Sequence, residues 1–198
     1  MSRRRLTWVM VVAAAVPCAS VRAQASFAIA AGFSGPRGDF GNVVNSGYHI
    51  LASIATDAGV YLPSGHDRAQ RSNAGSPFRV RADGELTEFR YKLPSGARNA
   101  KARVLSGTAN ALVSPPQFGG GYVIAGIGLY HMSAECDGCT TSTTKGGLNG
   151  GVGYELHLTR IKLFAEARYH YIGGPSDPTT GGVKSSTQFI PISLGVIF

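Results

Sequence analysis

Near the C-terminus the chain changes character with every residue. Ile190, Ile192, Leu194, Val196 and Phe198 are all large and apolar, and Pro191, Ser193, Gly195 and Ile197 stand between them. Side chains along a strand alternate between two faces. A strand over 187–198 therefore has one wholly apolar face and one mixed face that can turn towards a packed or wet interior. A strand that ends on an aromatic suits a closed barrel in a bilayer. There the last strand pairs with the first, and the terminal ring sits at a lipid–water boundary.

The same period of two recurs in seven further segments. Over 27–33, Phe27, Ile29, Ala31 and Phe33 alternate with Ala28, Ala30 and Gly32. Over 48–55, Tyr48, Ile50, Ala52 and Ile54 share a face. Over 78–86, Phe78, Val80, Ala82, Gly84 and Leu86 alternate with Arg79, Arg81, Asp83 and Glu85. The next segments are 103–113, with Ser106, Thr108 and Asn110 on one face, and 122–132, with Val123, Ala125, Ile127 and Leu129 opposite Gly126 and Gly128. Over 147–158, Leu148, Val152, Tyr154, Leu156 and Leu158 oppose Asn149, Glu155 and His157. Over 161–171, Ile161, Leu163, Ala165, Ala167, Tyr169 and Tyr171 oppose Lys162, Glu166, Arg168 and His170.

Alternation does not say which face meets solvent. A soluble sandwich or barrel turns its apolar face inward. Here the polar faces are rich in Gly, Ala, Ser and Asn and carry charges of both signs. That composition suits a narrow lumen, where Arg and carboxylate groups must pair. The apolar faces carry Tyr48, Tyr169 and Tyr171 near segment ends, the girdle position of a membrane barrel. The expected fold is all-β: an eight-stranded antiparallel up-and-down transmembrane β-barrel over 26–198.

The start of the chain agrees. Arg3-Arg4-Arg5 precedes an apolar run from Leu6 to Val16, followed by Pro17 and small residues up to Ala23-Gln24-Ala25. This is the layout of a secretory signal peptide cleaved after Ala23 or Ala25, giving a leader over 1–25. The run is shorter than the roughly 20 residues a membrane helix needs. Cys18 is expected to leave with the leader, since Pro17 spoils the approach to a lipidated cysteine. With 27 Gly, 43% hydrophobic and 15% charged residues, the chain favours strands over helices. Its net charge of +8 is partly the leader's. Without Arg3, Arg4, Arg5 and Arg22, 15 basic groups face 11 acidic ones, which is no nucleic-acid signature.

With the N-terminus periplasmic, the connections 34–47, 92–102, 133–146 and 173–186 are external, and 114–121 and 159–160 are inner turns. The connection 62–77 is also internal, and it is long for such a turn.

Several stretches together resemble the bacterial outer-membrane protein β-barrel domain, the group of small OmpA/OmpX-like barrels. They are Gly35-Pro36-Arg37-Gly38-Asp39-Phe40-Gly41, Ser46-Gly47-Tyr48-His49, the run from Tyr122 to Tyr130, Phe164-Ala165-Glu166-Ala167-Arg168-Tyr169-His170, and Gln188 to Ile192 running into Phe198. The resemblance implies location in the bacterial outer membrane. It implies delivery by the barrel assembly machinery, which reads the last strand, here Ile190, Ile192, Leu194, Val196 and Phe198. It implies no catalytic site and no cofactor.

Glu166 and Arg168 share a strand face, as do Glu155 and His157. With Arg79, Arg81, Asp83, Glu85, Lys162 and His170 they form an expected lumen charge network. Its bland reading is a salt-bridge lattice that pins register, and its functional reading is a proton or ion path. Cys136-Asp137-Gly138-Cys139 lacks the second ligand pair of a zinc site, so no metal is expected. In an oxidising compartment Cys136 and Cys139 are expected to form a local disulfide. His131 and Ser133, with Glu155 on the next strand, resemble the His/Ser/acid set of the small barrel lipid A deacylases, or are simple rim polarity. Lys92, Arg98, Lys101 and Arg103 are either solvated loop residues or contacts to lipopolysaccharide phosphates. The expected protein is a monomeric, non-enzymatic barrel that touches outer-membrane lipid and lipopolysaccharide and no nucleic acid. Its role is structural or surface-interacting: envelope integrity, adhesion or host contact. The alternatives are a narrow porin-like channel and a lipid A-modifying hydrolase, and a soluble periplasmic barrel is the third reading.

Overall fold

A computed structural model describes residues 25–58, 77–92, 100–136, 139–159, 161–173 and 186–198, without the side chains of Cys136 and Cys139. The expected leader, most of the 62–77 connection, most of the 173–186 loop and Arg98 lie outside the described residues, as does any sulfur–sulfur bond.

Eight antiparallel strands close into one barrel in chain order. They are β1 (Ser26–Arg37), β2 (Gly47–Asp57), β3 (Phe78–Arg90), β4 (Lys101–Val113), β5 (Gly121–Cys136), β6 (Cys139–His157), β7 (Lys162–Ile172) and β8 (Thr187–Ile197). A six-residue helix, α1 (Gly38–Val43), follows β1. The seam is the β1–β8 ladder, with Phe33 opposite Ile192 and Ala28 opposite Ile197.

The pairing is staggered. From Arg37 it runs through Gln188, Tyr171, Leu148, Ile127, Ala109, Ala82 and Ile54 and returns to β1 at Phe27, 10 residues away. Such a stagger tilts every strand against the barrel axis. Leu148 to Leu158 spans about 33 Å of strand, or roughly 25 Å along the axis at a tilt near 40°, the height of a lipid-facing band.

The faces are inverted relative to a soluble barrel. Phe33 is 77% exposed, Leu194 69% and Ile127 65%, while Arg168 is 2% exposed and His170 fully buried. Phe27, Ile29, Ile50, Leu129, Leu148 and Val152 join the outward apolar set. A contiguous apolar wall of this kind far exceeds the few hundred Å² that soluble monomers tolerate. Hydrocarbon satisfies it, and closure of the ladder removes the free strand edges that lipid would not tolerate. Exposed Tyr48, Tyr169 and Tyr171 mark one rim, and Tyr154 and Phe198 the other.

Inside, three layers fill the lumen. Ala28, Ala30, Leu51 and Phe164 pack near the terminal end, and Leu112, Tyr122 and Ile124 beside them. Charged groups occupy the middle. Val44, Phe89, Ala102, Val104, Tyr130, Ile172 and Phe189 form a plug at the loop end. Glycines make room for the large inward residues: a Cβ at Gly153 would collide with the Tyr122 ring, and one at Gly151 would press on Arg168.

The strands run further than the period-two reading reached. The stretch 133–146, expected as an external connection, is mostly strand: β5 and β6 pair up to Cys136 opposite Cys139. The run Thr140-Thr141-Ser142-Thr143-Thr144 is polar, as loops are, but its β-branched members favour extended backbone. The 34–47 connection is likewise shortened, since β1 continues to Arg37. Among the described residues, β7 begins to pair with β6 only at Gly147. Among the described residues, the hairpin beyond that level has no strand beside it on the β7 side.

Candidate functional site

The middle layer is built by β3 and β7, which are four strands apart in a closed order of eight and so face each other across the lumen. Arg81 extends from β3 and places Nη2 2.8 Å from Glu166 Oε1, while its Nε lies 2.9 Å from Asp83 Oδ1. Arg168 extends from β7 and places Nη1 2.7 Å from Asp83 Oδ2 and Nε 2.8 Å from Glu166 Oε1. Two guanidinium groups and two carboxylates thus close a ring of alternating charge. Tyr122 donates its hydroxyl to Glu166 at 2.6 Å, and Asn110 donates Nδ2 to Asp83 at 2.9 Å. A buried charge is tolerated only when paired and hydrogen-bonded in this way.

Glu85 lies one layer nearer the plug. Thr87 donates to it at 2.9 Å, and Arg168 Nη2 and His170 Nε2 stand 3.8 and 3.9 Å away. At the terminal mouth Arg79 contacts Glu155 at 2.6 Å and lies over the Tyr122 ring. Eight of the ten residues expected in the lumen network therefore meet one another. His157 and Lys162 do not: both stand exposed at the terminal mouth beside Asp57 and Phe198, where the strands end and water reaches them.

The plug seals the loop end. Phe89 is the hub, edge-on to Phe40 of α1 at 5.1 Å and to Phe189 at 5.6 Å. Phe189 stacks on His170 at 4.9 Å, and Tyr130 hydrogen-bonds His170 Nδ1 at 2.9 Å. His49 is held between Ser34 at 3.1 Å and Ser193 at 2.8 Å. None of Phe89, Phe189, Tyr122, Asn110, His49 and Ser193 was singled out in the sequence as a site residue. Their signal was parity, since each falls on the inward face of its strand.

His131, Ser133 and Glu155 do not assemble. His131 and Ser133 point outward from the outer half of β5, and His131 bonds Thr144 at 2.9 Å. Glu155 lies inside the lumen, 11 residues along β6 from Thr144, or roughly 35 Å. Chain neighbourhood had suggested proximity, but opposite faces and a long hairpin separate them.

The expected basic cluster is also rearranged. Lys92 bonds the Gly41 carbonyl at 2.6 Å. Lys101 and Arg103 lie on the outward face of β4 and grip Glu88 at 3.0 and 2.9 Å, with Arg103 reaching Glu135 at 3.2 Å and Tyr48 donating to Glu88 at 2.9 Å. This outward ionic patch sits just above the apolar wall.

The geometry is that of a closed eight-stranded barrel with an apolar outer wall and a charged interior. Its fold is similar to that of Neisserial surface protein A, at a TM-score of 0.52 and 19% identity over 87% of this chain and 94% of that one. It is equally similar to a major outer membrane protein from Thermus thermophilus, at 0.52 and 13% identity over 88% of this chain and 98% of that one. No protein-family model and no curated protein matches the sequence. The chain has the fold of the small OmpA/OmpX-like barrels of bacterial outer membranes.

Proposed function

We propose that the chain is a bacterial outer-membrane barrel with a structural and surface-interaction role. One observation carries this reading: an ionic layer and an aromatic plug pack across the lumen in series, while the polar β5–β6 hairpin projects past the lipid-facing band. Phe89 and Arg168, both buried inside the lumen, stand where an ion would have to pass, which weighs against a narrow channel. The separation of Glu155 from His131 and Ser133 weighs against a lipid A hydrolase. What remains for contact with the surroundings is the outer surface. The hairpin offers hydroxyls for adhesion or host contact, and Arg90 and Lys101 lie where lipopolysaccharide phosphates would meet the wall. Ile190, Ile192, Leu194, Val196 and Phe198 form the outward face that the assembly machinery would read. With the barrel wall closed within one chain, the monomer needs no partner subunit to complete it.

The test pairs two measurements. Purified protein in planar bilayers is expected to give no conductance steps. Cells carrying a barrel in which 133–142 is replaced by an Asn-Gly turn are expected to keep the barrel but lose adherence or resistance to detergent. Steady conductance by the unaltered protein, or unchanged adherence and envelope resistance after trimming, would overturn the proposal.

A further inference from the structure

Above the aromatic plug the loop-end mouth opens into a cup of about 240 Å³. Phe40, Tyr91 and Met132 supply apolar surface, and Thr141, Thr143 and Thr187 supply hydroxyls. Arg103 is the charged residue bordering the cup among the described residues, and its guanidinium is already committed to Glu88 at 2.9 Å and Glu135 at 3.2 Å. Among the described residues, the cup therefore offers no spare charge to a ligand. An apolar cavity of about 150 Å³ is enough to take up benzene, so this one has room for a ring with a short substituent. Water resting on an apolar floor makes few good hydrogen bonds, and an apolar group that displaces it gains affinity. Sites with a mostly apolar lining and a few placed polar groups are the usual form of small-molecule pockets.

We infer that the cup binds a small uncharged amphiphile, a single aromatic ring or short alkyl chain bearing one hydroxyl. The apolar part lies against Phe40, Tyr91 and Met132, and the hydroxyl bonds to the threonine wall. The plug beneath makes the cup a dead end, so the ligand is held and not passed inward. This inference is independent of the adhesive role of the hairpin, which can fail without affecting it.

Met132 is the only methionine between Ser26 and Phe198 and therefore reports on the cup alone. Protein isolated from membranes is labelled with carbon-13 on its methionine methyls and placed in phospholipid nanodiscs. The Met132 resonance is identified by its loss in Met132→Leu. Benzyl alcohol is expected to shift that resonance saturably, whereas benzoate and benzylammonium leave it in place. Ala134→Phe, which fills the cup, is expected to abolish the shift. Thr143→Val is expected to weaken benzyl alcohol about fivefold, the worth of one neutral hydrogen bond. Absence of a shift would overturn the inference. So would a shift that rises linearly with alcohol, the mark of dissolution in the bilayer, or an equal response to benzoate. Should Ala134→Phe fail to assemble, Thr143→Val decides: the loss supports the inference, and unchanged affinity overturns it.

Discussion

Arg81 reaches across the barrel to Glu166, its Nη2 lying 2.8 Å from each carboxylate oxygen, although the two residues are 85 positions apart in sequence. The contact joins opposite walls of the lumen. With Asp83 and Arg168 it forms a ring in which each charge touches two of opposite sign.

Removing one member of that ring strands the others. Glu166→Ala leaves two buried guanidinium groups sharing Asp83, with Glu85 no nearer than 3.8 Å to Arg168, and a loss of about 3–5 kcal/mol is expected. The variant Arg81→Met with Glu166→Leu removes a whole pair and is expected to cost less than the single change. Urea unfolding of the barrel in lipid vesicles measures both, and a single variant as stable as the parent contradicts the ring's role.

The lipid-facing wall and the projecting hairpin are expected to respond oppositely to charge. Ile127→Lys places an ammonium on the outward face at mid-strand, with an expected cost of about 2–4 kcal/mol. Thr140→Lys, at the exposed hairpin tip, is expected to change stability by less than about 0.5 kcal/mol. Folding free energies in vesicles compare the two, and equal effects would deny that the wall meets hydrocarbon.

The lumen has two seals in series, so opening one is not expected to open the barrel. Phe89→Ala alone removes the hub of the plug and leaves the ion ring beneath it intact. Planar bilayers should remain silent for that variant. Phe89→Ala, Phe189→Ala and Arg168→Ala together remove both seals, and conductance steps are expected. Conductance from Phe89→Ala alone would show that the ring is not a barrier.

How much of this was legible beforehand differs by feature. The period of two placed all eight strands and divided each into two faces, because the side-chain repeat of a strand is the same wherever it lies, and the small, mixed-charge composition of one face marked it as inward. Arg81, Asp83, Glu166 and Arg168 were recognised as one group by that parity. Which guanidinium meets which carboxylate was not legible, because it depends on the ten-residue stagger of the closed ladder. Phe89 and Phe189 read as ordinary apolar residues, since their meeting at a plug follows from closure and from the position of α1. Polarity misled at 139–146, where a threonine-rich strand looked like a loop.

Cys136 and Cys139 stand opposite each other in the backbone pairing of β5 and β6. Exported to an oxidising compartment, they are expected to join. Intact-mass measurement after iodoacetamide treatment should show no alkylation of the folded protein until a reductant is added, and two additions afterwards. Two additions without reductant would refute the bond.

The account as a whole depends on which side of the wall meets hydrocarbon. Nitroxide labels placed singly at Ile124, Ala125, Ile127 and Leu129 of β5, in nanodiscs, test it most directly through relaxation by oxygen and by a water-soluble nickel chelate. Labels at Ala125, Ile127 and Leu129 are expected to collide with oxygen and escape the chelate, while one at Ile124 is shielded from both. Chelate collisions at the odd-numbered positions would mean that the apolar face is in water, and the account would be wrong.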